Sequence, residues 1–359
     1  MENLVVMRIV DRNFWKDKRV FLTGHTGFKG SWLTLWLADM GAKVKGYSLK
    51  PYTHPNLYEV ANISSIVESE FGDIRNYEQL KTSINSYSPD IILHLAAQPL
   101  VRDSYLNPLE TYQTNVMGTA NLLQASRNLP ELKSIVIVTT DKCYENREWA
   151  WGYREHESMG GYDPYSSSKG CAELVTSAFR RSFFYSTEVA IASARAGNVI
   201  GGGDWSKDRL IPDLIRSYNA GKQVVIRNPK AIRPWQHVLE PLSGYLILAE
   251  ELYNKGQAYA EPFNFGPRDE DCQSVESILK MINDNWKNCP GWKLDKESNP
   301  HEARYLKLDI SKAKDKLNWT PQMNLESAIN RIIDWNKAFN RQENMQQHCI
   351  SEIKSYSNK

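Results

Sequence analysis

The sequence predicts an α/β protein with a doubly wound parallel sheet and a smaller C-terminal lobe. Three observations support this fold class. Apolar runs alternate with helical patterns through the first half of the chain, as in successive βαβ units. The run 134–138 is nearly continuously apolar, as expected for a parallel strand that is covered on both faces. A turn with three glycines joins the first apolar run to the first helical pattern.

The elements of the first half follow one another in a regular order. Apolar runs predict strands at 19–23, 43–48, a short stretch before Gly72, 90–95, 134–138 and 188–192. Apolar residues at helical spacing predict helices at 31–40, 77–87, 110–128 and 165–181, and Gly41 is expected to end the first of these.

The glycine turn is the first sign of a ligand. Gly24, Gly27 and Gly30 stand three residues apart where the strand 19–23 gives way to a helix. Such glycines permit a tight turn, a close approach of the backbone to a pyrophosphate and close packing of helix on sheet. The following helix offers unpaired N–H groups to the anion. We therefore expect a Rossmann-type sheet that holds a dinucleotide.

The ends of the neighbouring strands should complete the cofactor site. Ligands of open parallel sheets lie outside the carboxyl ends of the strands. There, an aspartate can meet a purine amino group, and small residues let a dinucleotide lie close to the backbone. The expected cofactor-binding residues are Gly24, His25, Gly27, Phe28, Lys29, Gly30, Ser48, Lys50, Asp73, Ile74, Ala96, Ala97, Tyr165 and Lys169.

The end of the second strand departs from the usual NAD pattern. Residues 46–50 contain no acid that could hold the ribose hydroxyls, and Lys50 is able to accept a 2′-phosphate. His25 replaces the small residue that is usual in the turn. We expect NAD to be held loosely, and these residues leave NADP open.

Two polar motifs follow strands and indicate acid–base chemistry. Thr140, Asp141 and Lys142 come directly after the strand 134–138. Tyr165 and Lys169 are four residues apart and share one face of a predicted helix. A lysine near a phenol favours the ionised form, so we expect it to lower the pKa of Tyr165. The phenol would then exchange a proton with a substrate hydroxyl or carbonyl. Each motif alone is common, but their combination with the glycine turn is specific.

These motifs resemble the short-chain dehydrogenase/reductase superfamily in its extended, nucleotide-sugar branch, over roughly residues 15 to 320. Longer segments at 139–144, 151–155, 160–166, 195–205 and 233–242 resemble the CDP-glucose 4,6-dehydratase family. The resemblance implies NAD as cofactor and a CDP-hexose as substrate. It also implies oxidation at C4, loss of water across C5 and C6, and return of the hydride to C6. No single residue indicates that the base is cytosine.

The resemblance gives the catalytic residues their roles. Tyr165 would remove the C4 hydroxyl proton, Thr140 would hydrogen-bond the C4 oxygen, and Lys169 would bind the nicotinamide ribose. Asp141 would protonate the leaving C6 hydroxyl. Position 142 is Lys where related hexose dehydratases have a glutamate base, so Lys142 is either a neutral base at C5 or a cation that stabilises the enolate.

The resemblance also implies which residues meet the nucleotide sugar. Asn198 and Arg233, with Arg209 as a further candidate, would bind the diphosphate. Gln98 and Tyr144 would meet the hexose. Arg209 is equally well read as a solvated surface charge.

Two other functions remain open on this reading. The first is a 4,6-dehydratase or a 4-epimerase for another nucleotide sugar, although an epimerase has no need of charged groups at C5 and C6. The second is an inactive dinucleotide-binding sensor, although Thr140, Tyr165 and Lys169 are all present.

Composition excludes several other classes. The chain has 359 residues and a net charge of +2, with basic residues dispersed, so no nucleic-acid partner is expected. No apolar run is long enough to span a membrane, and no targeting segment is evident. Five cysteines without metal-ligand spacing indicate reduced thiols, no metal and a cytoplasmic location. The family implies a homodimer through the helices 110–128 and 165–181, and a higher oligomer is not excluded.

The expected organisation has three parts. Residues 15–200 form the NAD-binding domain, to which a segment at about 230–250 returns. Residues 201–340, rich in glycine and proline punctuation, form most of the substrate-binding lobe. Residues 341–359 are expected to be a polar, frayed tail.

Overall fold

The computed structural model describes residues 7–286, 289–295 and 304–358. Its centre is a seven-stranded parallel sheet. Strands β1 to β6 are Arg19–Thr23, Lys43–Ser48, Glu68–Phe71, Ile91–His94, Ser134–Val138 and Ala190–Arg195. The short strand Phe263–Asn264 adds to β6, so the order is 263–264, β6, β5, β4, β1, β2, β3. The predicted fold class is confirmed.

The helices lie on both faces of this sheet and in the C-terminal half. They are Arg12–Trp15, Phe28–Asp39, Leu57–Val60, Tyr77–Tyr87, Val101–Leu106, Pro108–Tyr112, Gly118–Ala125, Pro164–Phe179, Leu210–Asn219, Leu239–Lys255, Val275–Asn285, Ser311–Leu317, Leu325–Asn340 and Met345–Ser357. Further short strands are Val199–Ile200, Val224–Ile226, Ile232–Pro234, Gln236–His237, Cys272–Ser274 and Trp292–Leu294.

Alternation along the strands explains why both faces are covered. In β1, Val20 and Leu22 belong to one buried apolar cluster, whereas Phe21 belongs to the cluster on the opposite face. Successive side chains of a strand point to opposite faces, so a strand that is apolar throughout needs helices on both sides. A third buried cluster, which includes Ile211 and Ile329, lies in the C-terminal lobe.

Several predicted elements differ from the structure in their bounds, and two of them show why. The sixth strand was expected at 188–192 but runs from Ala190 to Arg195, because Arg195 is buried by an ion pair with Glu173 and can remain in the sheet. The helix expected at 110–128 begins at Pro108 and ends at Ala125, with a π-helical segment, Gln113–Met117, inside it.

The chain returns to the main core after the C-terminal lobe has begun. In the helix Leu239–Lys255, residues 239–252 are all buried, and its apolar side chains join the cluster beside β1, β4, β5 and β6. The strand Phe263–Asn264 then extends the sheet itself. The sheet is therefore completed by residues that are distant in sequence.

The frayed tail expected at 341–359 is wrong. Residues Met345–Ser357 form a helix that packs against Phe28–Asp39, the helix that follows the glycine turn. Met345, Cys349, Ile353 and Tyr356 recur at helical spacing and are buried in the main core. This apolar stripe outweighs the polar composition of the segment, because helices in proteins are stabilised mainly by packing.

Ile353→Ala should therefore lower the free energy of unfolding by about 2–4 kcal/mol, since it leaves a cavity in the main core. Gln347→Ala, at an exposed position of the same helix, should change it by less than about 0.5 kcal/mol. Denaturant unfolding of both variants makes the comparison. Equal, small effects would mean that the helix is not docked.

Candidate active site

A cleft of about 800 Å³ lies between the carboxyl ends of the strands and the C-terminal lobe. Loops after β4, β5 and β6 form one side, and the strand Val224–Ile226 and its neighbours form the other. The cleft brings together residues that are far apart in sequence. Of the predicted site residues, Phe28, Lys29, Ala97, Thr140, Asp141, Lys142, Tyr144, Tyr165, Lys169, Asn198, Arg209 and Arg233 line it.

The remaining predicted residues do not line this cleft. Ala96 and Gln98 follow β4, Ser48 ends β2, and the others follow β1, β2 or β3 in the chain. The full set is Gly24, His25, Gly27, Gly30, Ser48, Lys50, Asp73, Ile74, Ala96 and Gln98.

The glycine turn has the geometry that a dinucleotide needs. Gly24 has φ of +78°, and a Cβ there would lie 2.7 Å from the backbone nitrogen of Ala96. A Cβ on Gly30 would lie 2.0 Å from the carbonyl oxygen of Gly24. Gly27 begins the helix without a side-chain cap, so the first N–H groups remain available to an anion. These residues fit a pyrophosphate.

The ring of His25 lies beside β2 and β3, next to Gly46 and Ser69. Its Nε2 is 3.1 Å from the hydroxyl of Ser69, and the ring fills the space where a Cβ on Gly46 would lie. Burial lowers the pKa of His25 to about 4, so the ring is neutral at physiological pH. The ring therefore shapes the turn from behind.

Of three other predicted cofactor residues, two have partners of their own and one is exposed. The hydroxyl of Ser48 is 2.8 Å from that of Thr26. Lys50 is exposed. The carboxylate of Asp73, expected near a purine amino group, accepts three hydrogen bonds from Arg75. Although burial raises it, these bonds hold the pKa of Asp73 below its usual value.

Tyr165 and Lys169 lie at the floor of the cleft, on the helix Pro164–Phe179. The expectation that the pKa of Tyr165 is lowered is wrong in direction. Burial raises the pKa of Tyr165 to about 12, and a hydrogen bond with Thr140 and the charge of Arg209 only partly offset this. Lys169 is itself buried, which lowers its pKa to about 8, against the opposing charge of Glu173.

Thr140 and Asp141 form a buried pair at the end of β5. The hydroxyl of Thr140 donates to Oδ1 of Asp141 at 2.9 Å. In the part of the chain that the structure describes, Oδ2 of Asp141 has no hydrogen-bond partner. Burial raises the pKa of this carboxyl group, against the charges of Lys142 and Arg233. A buried carboxyl group that holds a proton is able to act as an acid.

Gly197 makes room for that carboxyl group. A Cβ at this position would lie 1.9 Å from Oδ2 of Asp141. The sequence reading included Gly197 in a long matching segment but gave it no role. Only its contact with Asp141 reveals why a side chain is not tolerated there.

Two predicted hexose contacts are turned to other partners. The side-chain amide of Gln98 donates to Thr111 at 2.9 Å, and Gln98 does not line the cleft. Tyr144 does line it, but its hydroxyl receives a hydrogen bond from Arg195 and donates to Asn264, both at 2.7 Å. In this arrangement both side chains support the walls of the cleft.

The three predicted diphosphate residues all reach the cleft. Arg209 donates to Asp204 at 3.0 Å and still acts on the phenol of Tyr165. The charge of Arg233 partly offsets the rise that burial causes in the pKa of Asp141. Asn198 has a left-handed backbone, with φ of +38°. The cleft therefore carries two guanidinium groups, of which Arg209 acts on Tyr165 and Arg233 on Asp141.

Lys29 is the least expected cation of the cleft. It was assigned to the glycine turn from the sequence, and in the structure it is half-buried, with its Nζ 3.5 Å from the hydroxyl of Tyr245. Burial, together with the charges of Lys169 and Arg209, lowers its pKa to about 7.

The sequence reading missed the ion pair beneath the site. Arg195 donates to both carboxylate oxygens of Glu173, at 3.0 and 2.9 Å, and both side chains are at most 5% exposed. Although burial raises it, this pairing holds the pKa of Glu173 below its usual value. Glu173 stands four residues after Lys169, so its place on the same helix face was available as a signal.

Within 7–286, 289–295 and 304–358, no helix combines the length and the apolar character needed to cross a membrane. The same part of the chain holds no group of three or more His, Cys, Asp or Glu side chains placed to hold a metal ion.

Comparison with known proteins places the chain among nucleotide-sugar enzymes. CDP-glucose 4,6-dehydratase of Salmonella typhimurium is 56% identical, over 97% of this chain and 98% of that protein. The dTDP-glucose 4,6-dehydratase of Xanthomonas campestris is 26% identical over 88% of this chain and 92% of that protein. The solved structure of MoeE5 in complex with UDP-glucose and NAD has a TM-score of 0.76 and 22% identity, covering 90% of this chain and 99% of that one.

A family model also matches most of the chain. Residues 21–332, which begin within β1 and contain the predicted site residues of the cleft, match the model described as GDP-mannose 4,6 dehydratase. With this match and the 56% identical relative, the chain belongs to the family of nucleotide-sugar 4,6-dehydratases.

Proposed function

We propose that this chain is a hydro-lyase that converts CDP-D-glucose to CDP-4-keto-6-deoxy-D-glucose with NAD as cofactor. The observation that carries the proposal is the 56% identity to a CDP-glucose 4,6-dehydratase over nearly the full length. The dTDP-glucose enzyme is only 26% identical, which favours CDP as the nucleotide. The cleft with Thr140, Asp141 and Tyr165 supports the type of reaction.

The glycine turn and the floor of the cleft would hold NAD. The cradle of Gly24 and Gly30 fits the pyrophosphate, and Lys169 would meet the nicotinamide ribose. MoeE5, which shares the fold, was solved with NAD. When bound, NAD supplies the hydride acceptor for oxidation at C4 and the donor for reduction at C6.

Tyr165 would act first, as the base that takes the proton of the C4 hydroxyl. Its pKa of about 12 is well above neutral, so the phenol is protonated until a cation stabilises the phenolate. The charge of Arg209 and a hydrogen bond with Thr140 already lower the pKa of Tyr165, although burial outweighs them. Thr140 would also hydrogen-bond the C4 oxygen. The site therefore needs its cations close to the phenol.

Asp141 and Lys142 would carry out the elimination. The 4-ketone acidifies the C5 proton, and loss of that proton with the C6 hydroxyl releases water. Asp141, whose pKa burial raises, would give its proton to the leaving hydroxyl. Lys142 lines the same cleft and would either take the C5 proton or stabilise the enolate as a cation.

The diphosphate would lie between the two lobes. Arg209 and Arg233 reach the cleft from separate parts of the C-terminal half, and a guanidinium group suits bidentate contacts with phosphate. Asn198 lines the same wall. The exposed Lys50 leaves space for a 2′-phosphate, but a cycle that returns its hydride has no need of NADP.

The competing functions explain less of the site. A 4-epimerase needs no acid for a C6 hydroxyl, whereas the buried Asp141 has an oxygen without a hydrogen-bond partner among the described residues. An inactive sensor would not need the buried set of Thr140, Tyr165 and Lys169 in one cleft.

We also propose a cytoplasmic enzyme that supplies deoxysugars for surface polysaccharide such as the lipopolysaccharide O-antigen. A homodimer would form through the helices after β4 and the helix Pro164–Phe179. These helices expose Leu109, Met117 and Leu174, which are 76%, 54% and 59% exposed in the single chain. Apolar side chains of this size on neighbouring helices favour an interface, and a higher oligomer is compatible with it.

An assay of nucleotide sugars tests the proposed reaction. Among CDP-, dTDP-, GDP- and UDP-glucose, the CDP sugar should give the most 4-keto-6-deoxy product, measured by its ultraviolet absorbance in alkali. Added NAD should raise the rate of the purified enzyme, because the end of β2 lacks an acidic ribose ligand. Preference for another nucleotide would refute the CDP assignment. If the purified enzyme retains a full complement of bound cofactor and its rate does not rise with added NAD, the prediction that NAD is held loosely is wrong.

Tyr165→Phe should lower kcat by about 10²- to 10⁴-fold, because it removes the general base at C4. Binding of CDP, measured by calorimetry, should stay within about threefold of the unmodified protein, since one hydrogen bond at most is lost. Tyr185→Phe, at a 74% exposed phenol, is the matched control. Retention of full activity by Tyr165→Phe would remove the phenol from the mechanism.

Lys142→Ala should abolish incorporation of solvent deuterium at C5, followed by mass spectrometry of the product, and lower kcat by about 10²- to 10⁴-fold. Unchanged incorporation would exclude Lys142 as the base. Lys142→Arg separates the two roles, because arginine is a cation that does not lose its proton. Recovery of activity in that variant indicates stabilisation of the enolate, and no recovery indicates a base.

A further inference from the structure

The segment Asp204–Arg209, here named the strap, forms part of one wall of the cleft. Asp204, Asp208 and Arg209 line the cleft directly. The backbone turns sharply at both ends, with φ of +81° at Gly203 and +60° at Asp208. Such left-handed positions are where loops change direction. The strap therefore leaves the C-terminal lobe, runs along the cleft and returns.

The beginning of the strap is anchored in its own lobe. The ring of Trp205 packs against Trp335 and Phe339, with centroid distances of 5.6 and 5.2 Å. Arg216 donates to the carbonyl oxygens of Trp205 and Ser206, at 2.9 and 3.2 Å. The second half of the strap, towards Arg209, lacks an aromatic anchor of this kind among the described contacts.

Two contacts tie the strap to the opposite side of the cleft. The hydroxyl of Tyr52, in the loop after β2, is 2.6 Å from that of Ser206. Nη1 of Arg102, on the helix Val101–Leu106 after β4, is 3.1 Å from Oδ1 of Asp208. These loops follow two different strands of the sheet. The strap is therefore held across the cleft at two separate points.

The two contacts differ in exposure. The side chains of Arg102 and Asp208 are 41% and 40% exposed, so water competes for both partners and the ion pair contributes little. In the other contact water reaches Tyr52, which is 60% exposed, but not Ser206, which is buried, and one hydrogen bond of this kind still contributes only modestly. The ion pair of Arg195 with Glu173, by contrast, is almost wholly buried. The strap can thus separate from the sheet side without disturbing the core.

We propose that the strap is a gate over the cleft, which Tyr52 and Arg102 hold shut and which opens when their contacts with Ser206 and Asp208 break. That the ligand is a nucleoside-diphosphate sugar rests on the proposed function, whereas the opening of the strap does not. Arg209 is the last residue of the strap and acts on the phenol of Tyr165. Closing therefore also brings a cation to the catalytic base.

Lys207, which is exposed in the strap, provides a reporter of opening. A lysine-specific endoproteinase acts on the full-length native protein, and mass spectrometry follows cleavage after Lys207. Tyr52→Phe and Arg102→Gln should each raise this rate by about twofold to tenfold, the range expected for loss of one exposed contact. Arg102→Lys, which keeps the charge, and Tyr185→Phe should stay close to the unmodified protein.

Equal cleavage of the unmodified protein and both test variants would overturn the gate. Faster cleavage after Lys222, an exposed lysine outside the strap, by the same factor would also overturn it, because the variants would then loosen the lobe as a whole. Saturating CDP should slow cleavage after Lys207. If the variants are cleaved faster but CDP gives no protection, the gate stands and the proposed nucleotide fails.

Discussion

The buried pairing of Arg195 with Glu173 is the interaction on which the site depends. It joins the end of β6 to the helix that carries Tyr165 and Lys169, and Thr139 and Ser193 add hydrogen bonds to the same carboxylate. Arg195 also donates to Tyr144, so a wall of the cleft is fixed by the same guanidinium group. Two charges without water are stable only when nearly all of their hydrogen-bonding groups are satisfied. The position of the catalytic helix is therefore set by charge pairing, in addition to apolar packing.

Burial also decides the protonation of the site. It raises the pKa of Tyr165 and Asp141 and lowers that of Lys169 and Lys29, which in each case favours the neutral form. The same loss of water strengthens every remaining interaction between charges. A single cation that arrives at the phenol therefore has a large effect. Arg209, whose charge lowers the pKa of Tyr165, is placed to be such a cation.

Sequence patterns were sufficient where local physics determines the structure. The bounds of β1, β2 and β5 were predicted residue by residue, and in β1 and β5 the signal is an apolar run between polar residues. The residues that gather in the cleft were also largely foreseen, since strand ends meet at one edge of a sheet. The hydrogen bonds of Gln98 and Tyr144 were not predicted, because their partners, Thr111 and Arg195, are distant in sequence or on another element. The pKa of Tyr165 is raised because its ring is buried, and residue spacing in the sequence does not reveal this burial.

The last helix gives the fold an order of assembly. Met345–Ser357 covers the outer face of Phe28–Asp39, and the ring of Tyr356 meets that of Trp36 at 5.7 Å. The edge strand Phe263–Asn264 likewise comes late in the chain. On the ribosome, the helix that begins at the glycine turn emerges early relative to the residues that cover its apolar outer face, which are synthesised more than 300 positions later. Translation must therefore pass residue 357 before the nucleotide-binding half is sealed, and a nascent chain that stalls earlier exposes Trp36 to chaperones and proteases.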